Sequence, residues 1–167
     1  MLTGARSNEA RSATWSEIDE KNSLWIIPSE RMKARVEHRV PLSKQALALL
    51  ESTPRVEGCD LLFPGQNLKT VLSDVAVSKQ LHRHVAKGTA TLHGMRSSFR
   101  MWAAEHGIND RAAEFCLAHS LPNKVEASYN RSTLLEQRKT IMQSWADYLV
   151  NNITAAGVTD IASKRSA

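Results

Sequence analysis

The stretch Thr91-Leu92-His93-Gly94-Met95-Arg96-Ser97-Ser98-Phe99-Arg100-Met101-Trp102 carries two helical patterns at once. At about 100° per residue, His93, Arg96 and Arg100 fall within a stripe roughly 60° wide. Met95, Phe99, Trp102 and Ala103 make a separate apolar stripe centred about 110° away. One face of this helix therefore belongs in a core, and the edge beside it presents an imidazole and two guanidiniums. Taken alone, that edge reads more readily as a solvated basic margin. The alternative is an oxyanion site, because Arg offers planar paired donors that match phosphate.

A second segment lies just downstream. Cys116-Leu117-Ala118-His119-Ser120 precedes Ala127-Ser128-Tyr129-Asn130-Arg131, with Tyr129 ten residues after His119. The chain has only 2 tyrosines, and this one sits in a polar stretch ahead of an amphipathic helix. A structural Tyr at a helix start is the default. A phenol of pKa near 10 needs clustered cations and a proton acceptor to become a nucleophile.

Outward from these segments, the pattern is mostly helical with one small antiparallel sheet. Met1-Leu2-Thr3-Gly4 reads as a helix end stopped by Gly4, with a short helix over Arg6–Ala13. Leu24–Pro28 and His38–Leu42 read as hairpin strands joined by a long charged loop, Ser29–Glu37. Ser43 is placed to cap a helix over Lys44–Glu51. Gly58–Gly65 is a loop, and helices are predicted near Leu72–Val85, His93–His106, Asp110–Ala118, Lys124–Ser128 and Thr133–Asn151. Residues 1–152 are expected to form one domain, and 153–167 a polar tail that frays from Thr159.

Bulk properties narrow the class. The 167 residues suit a single core, with 42% hydrophobic and 23% charged residues in an ordinary globular balance. No apolar run approaches the ~20 residues of a membrane span, and the start lacks a signal-peptide pattern. Two isolated cysteines, Cys59 and Cys116, argue against a disulfide scaffold and for a reducing, cytoplasmic setting. A net charge of +5 and a pI of about 9.5 set a weak prior for nucleic acid. His82 and His84 lie about 200° apart on a helix and do not converge, and Cys116 with His119 is too few ligands for zinc. Trp15, Trp25, Trp102 and Trp145 are expected as core anchors rather than base-stacking platforms.

Taken together, the motifs resemble the C-terminal catalytic domain of tyrosine recombinases, the phage integrase family, of the prophage or genomic-island type. His93-x-x-Arg96, Leu117-x-His119 and Tyr129 match its C-terminal signature. Thr3-Gly4-Ala5-Arg6-Ser7-Asn8-Glu9 is similar to its first arginine box, and Trp15-Ser16-Glu17-Ile18-Asp19 to the segment that follows. Glu30-Arg31-Met32-Lys33 and His38-Arg39-Val40-Pro41-Leu42-Ser43 resemble its lysine-bearing β-hairpin.

The resemblance implies an α+β, mainly α, catalytic fold and roles for six residues. Arg6 and Arg96 would clamp the scissile phosphate, and His119 would donate a further hydrogen bond to it. His93 would assist proton removal from Tyr129, which attacks to form a 3′-phosphotyrosyl ester. Lys33 would protonate the departing 5′ oxygen, and Glu9 would orient Arg6. Fixed cations would stand in place of metal ions, with no cofactor and no ATP. Arg31, Arg35, Arg100 and Arg131, with Lys79, Arg83 and Lys124, are candidate contacts to the DNA backbone, each also readable as a solvated charge.

The resemblance also implies partners: double-stranded DNA at attachment sites, further copies in a tetramer, and accessory DNA-bending or directionality proteins. The last helix, with Leu134, Ile141, Met142, Trp145, Leu149 and Val150 on one side, could pack on its own chain or on a neighbouring copy. Because the family's upstream helical domain is not in the sequence, weak and poorly specific DNA binding is expected of this chain alone. Competing readings are a non-catalytic DNA-binding remnant, a type IB topoisomerase-like enzyme and a metal-dependent nuclease.

Overall fold

A computed structural model describes residues 1–86, 88–119 and 134–155. The expected short piece Lys124–Ser128, Tyr129, Arg131 and the tail from Thr159 lie outside the described residues. The elements in chain order are α1 (Ser7–Arg11), β1 (Ile18–Asp19), β2 (Leu24–Ile27), β3 (His38–Pro41), α2 (Lys44–Glu51), α3 (Asp74–Leu81), α4 (Gly94–Glu105), α5 (Asp110–Cys116) and α6 (Leu135–Ala155). No helix among the described residues is long and apolar enough to cross a membrane.

The sheet is antiparallel in the order β1-β2-β3. Trp25 stands opposite Ile18 on one side and Val40 on the other, and Ile27 opposite His38. Trp25, Ile27 and Val40 bury themselves with Ala13, Met32, Leu42, Ala46 and Leu62 in a first cluster. The two-residue β1 is too short to leave a readable alternation in the sequence. The hairpin and α2 stand as expected, with Ser43 Oγ accepting the Ala46 N–H at 3.2 Å.

Several expected helical segments are shorter in the structure or absent from it. The one predicted over Leu72–Val85 begins only at Asp74, because Ser73 caps it by accepting from Ala76 N at 3.1 Å. The segment Met1–Gly4 is a turn rather than a helix end, closed by Gly4 N–H donating to the Met1 carbonyl at 3.3 Å.

A second cluster joins α4, α5 and α6 through Phe99, Trp102, Ala103, Ala113, Cys116, Ile141, Met142 and Trp145. Phe99, Trp102 and Trp145 meet at centroid separations of 5.2–5.9 Å. Three of the four tryptophans are thus core anchors, while Trp15 is half-buried under the Arg55 guanidinium at 4.2 Å. The apolar side of α6 packs on its own chain, against α5, β3 and α2. Ile141, Met142 and Trp145 are buried there. Helix α6 also runs three residues past the expected domain end at 152, to Ala155. The two clusters meet where Gly4 approaches Cys116 and Leu117 at the end of α5.

Candidate active site

Arg96 is the centre of this seam. Its Cα lies in the first turn of α4, and its side chain is only 6% exposed. An Arg so deeply covered needs partners, and two backbone carbonyls provide them. One is Gly4 O, which Nη1 engages, and the other is Leu117 O, 2.7 Å from Nη2. Gly4 takes the left-handed conformation (φ +61°), and a Cβ there would come within 3.2 Å of Leu117 Cδ2. A glycine is therefore needed both for the turn and for the close approach that brings its carbonyl to Arg96.

His119 reaches the same place through the way α5 ends. The Ala118 N–H donates to Phe115 O at 3.3 Å, and the His119 N–H to Glu114 O at 3.0 Å. This is a Schellman closure, with Ala118 in the left-handed position at φ +52°. It folds the His119 ring back so that Nδ1 lies 2.5 Å from Glu114 Oε2 and Nε2 lies 3.0 Å from Arg96 Nη2. A guanidinium only donates and a carboxylate only accepts, so these two contacts match a ring that donates from Nδ1 and accepts at Nε2. As placed, Nε2 accepts from Arg96.

Arg6 caps α1, and Glu9 binds it twice: Oε2 accepts the Arg6 backbone N–H at 2.7 Å, and Oε1 accepts Nη1 at 2.8 Å. Glu9 is buried while a third of the Arg6 side chain stays exposed, so the carboxylate orients a guanidinium that still faces out. Burial, and then the nearby Arg6 charge, lower the pKa of Arg96 below the ordinary arginine value. Arg96 feels the Arg6 charge alongside those of Glu9 and Glu114, and the two guanidiniums offer a place for an anion.

The remaining candidates divide. His93 is exposed at the start of α4 and lines one open groove with Arg96, Arg100, Met101 and His119. Lys33 is exposed on the β2–β3 connection and lines a second groove with Arg6, Glu9, Arg31 and Arg35. Arg31 is turned inward: it pairs with Glu17, and its Nη2 donates to Glu9 O at 2.6 Å. That ties the connection to α1 rather than leaving a free charge for DNA. Arg35 is exposed, with Nη1 donating to Glu30 O at 3.2 Å. Arg100 donates to Glu114 at 2.8 Å and Asp110 at 2.7 Å, and those bonds raise its pKa. Tyr129 and Arg131 fall outside the described residues. No group of three His, Cys, Asp or Glu side chains among the described residues could hold a metal ion.

Three groups near the site were not legible as site residues. Glu114 precedes His119 by five positions, a spacing that becomes a contact only through the left-handed turn at Ala118. His38 on β3 donates to the Cys116 carbonyl, and burial followed by the Arg138 charge lowers its pKa to about 4. Arg138 on α6 is 2% exposed and donates to Arg39 O at 2.6 Å. Together they brace the sheet against α5 just before Leu117. Their sequence signal was weak: a His in a strand, and a lone Arg on an otherwise apolar helix side.

Comparison with known proteins fits this geometry. The sequence profile of the phage integrase family matches residues 1–135. The chain is 40% identical over 149 residues to the prophage integrase IntA of Escherichia coli (strain K12), a match covering 88% of this chain and 36% of that protein. It thus spans little more than a third of that relative's length. The fold resembles that of an integrase from mycobacterium phage Brujita, with TM-score 0.67, 17% identity, and coverage of 85% of this chain and 47% of that one. It also resembles the Tn1549 transposon integrase bound to a circular intermediate DNA, with TM-score 0.54, 18% identity, and coverage of 78% and 55%.

Proposed function

This chain belongs to the phage integrase family, and we propose that it is the catalytic part of a site-specific DNA recombinase. The observation that carries the reading is the Arg96 guanidinium, buried on two carbonyls with Arg6 and His119 beside it. Such a pocket suits a phosphodiester whose negative charge grows as a fifth oxygen bonds to phosphorus. Donors held in place before the reaction need no reorganisation, and each commonly contributes about 10²–10³ in rate.

In this reading Tyr129 Oη attacks the phosphorus while the bond to the 5′ oxygen breaks, leaving DNA on the protein as a 3′-phosphotyrosyl ester. The phenol proton passes to His93, and the leaving oxygen takes a proton from Lys33. Glu9 holds Arg6 toward the phosphate, and exposed Arg35 contacts the flanking backbone. One phosphoester replaces another of similar energy, so resealing is the same step reversed. The substrate is double-stranded DNA, as in the DNA-bound transposon integrase of similar fold. Recombination at attachment sites calls for four copies on paired sites in the cytoplasm, with accessory DNA-bending or directionality proteins.

The test uses a nicked suicide substrate in EDTA, with this chain, its Tyr129→Phe variant and a longer form carrying upstream sequence from a relative. A denaturant-resistant protein–DNA adduct that vanishes in Tyr129→Phe is expected. DNA binding with no adduct from any form would instead favour a non-catalytic remnant.

A further inference from the structure

Glu114 is absent from the roles assigned so far, although it touches a site residue at 2.5 Å. Both its carboxylate oxygens are committed. Oε2 accepts from His119 Nδ1, and Oε1 accepts from Arg100 Nε at 2.8 Å. Arg100 is in turn fixed by Asp110, whose Oδ1 is 2.7 Å from Nη2. A carboxylate gripped at both ends cannot rotate freely, so the imidazole it holds cannot either. The backbone adds a second tie, from His119 N–H to Glu114 O at 3.0 Å. Partial burial pushes the Glu114 carboxyl up, but the hydrogen bonds from His119 and Arg100 outweigh it and leave its pKa below the ordinary carboxylate value. The group is an anion at neutral pH.

We propose that Glu114, braced by Arg100 and Asp110, is the positioning residue for His119: it takes the Nδ1 proton and aims Nε2 into the Arg96 pocket. The inference rests on that pocket's being the phosphate site. With Nδ1 committed to Glu114, Nε2 is the only ring nitrogen that faces a ligand. In the free protein it accepts from Arg96. When phosphate draws the Arg96 donor away, Nε2 takes a proton from solvent and donates to the phosphate, and the Glu114 anion balances the imidazolium. A carboxylate on the far nitrogen is the general device for fixing an imidazole's tautomer and stabilising its charged form. Of the other charged groups around the ring, Arg96, Arg100 and His93 come from α4, and Arg6 approaches from α1. The three arginines are cations, so among these described groups Glu114 supplies the anion in direct contact.

Two measurements on this chain test the proposal, with Glu114→Gln, Glu114→Asp and Glu114→Ala. The first reads the tautomer by nitrogen-15 NMR of labelled histidine. His119 should carry its proton on Nδ1 in the unsubstituted chain and shift to Nε2 in Glu114→Ala. A ring already protonated on Nε2 in the unsubstituted chain would overturn the proposal. The second follows adduct formation on the nicked substrate. Glu114→Gln should slow it on the order of 10²-fold, as for one lost phosphate donor. DNA affinity should stay within about twofold, because backbone contacts away from the site dominate affinity. Glu114→Asp, which keeps the anion, should recover part of the rate. An unchanged rate in Glu114→Gln, or equal losses in rate and affinity, would refute it. If neither the unsubstituted chain nor its longer form gives an adduct, the recombinase reading fails, and the tautomer alone then decides the Glu114–His119 pairing; if only the longer form gives one, the rate comparison is made in that form.

Discussion

Arg96 and Lys33 are assigned to one reaction but are held in opposite ways. Arg96 lies on the helical cluster, buried, with three of its five N–H donors held by Gly4 O, Leu117 O and His119. Lys33 stands exposed on the β2–β3 connection, and none of the described residues partners its ammonium. One half of the candidate site is built into the folded core, and the other is left open for a ligand to complete. Charge stabilisation needs donors that do not reorganise, whereas delivering a proton to a leaving oxygen needs only reach. The fold places rigidity on the phosphate side and keeps the lysine side free.

The largest effect should separate these halves outright. Arg96→Ala leaves two buried carbonyls unpaired and is expected to cost about 3 kcal/mol of stability along with all adduct formation. Lys33→Ala should leave stability within about 0.5 kcal/mol while slowing adduct formation by about 10²-fold or more. Urea denaturation beside the suicide-substrate assay measures both. Equal stability losses for the two variants would erase the distinction.

A somewhat smaller effect probes the seam between the halves. His38 is neutral in the folded protein, its pKa lowered from 6.5 to about 4 by burial and the Arg138 charge. The unfolded chain therefore binds the proton more tightly. The stabilisation is fully present above pH 6.5 and is lost as pH falls toward 4. That gap corresponds to about 2–3 kcal/mol. Urea titrations at pH 7 and pH 4 should show His38→Gln losing less stability across this range by about that amount. An identical pH dependence in both proteins would mean that His38 does not link sheet and helices as described.

The smallest effect sharpens the helical side. Ala118 adopts a left-handed conformation that Gly occupies without strain. Ala118→Gly should therefore raise stability by up to about 1 kcal/mol and leave the His119 tautomer unchanged. A loss of stability would show that the Ala118 side chain packs usefully against the sheet cluster beside it.

The family motifs were legible because they are local. His93 and Arg96 lie one helical turn apart and were grouped by spacing, and Arg6 and Glu9, within one turn of α1, by their resemblance to the family's arginine box. The strands around Trp25 and Val40 and the α2 cap at Ser43 were readable for the same reason. Arg31 and Arg100 show where this stopped. Both read as free cations for DNA, yet each is tied to carboxylates, Glu17 in one case and Glu114 with Asp110 in the other. Arg31 and Glu17 are fourteen residues apart, as are Arg100 and Glu114, so only folding brings each pair together.

By itself, the sequence determined the family, the mostly helical class with its hairpin, and which residue types are available for phosphate chemistry. The class and the hairpin follow from periodicity within single elements, and the family from the resemblance of several motifs in their order along the chain. Only the tertiary structure showed that Ile141, Met142 and Trp145 are buried against α5, β3 and α2, that Arg96 is held by carbonyls from Gly4 and Leu117, and that Glu114 meets His119 Nδ1. Those outcomes depend on which buried donors find acceptors once distant segments meet. Every buried polar group has to be satisfied by whatever backbone or side chain the packing brings to it, and no local pattern encodes that partner.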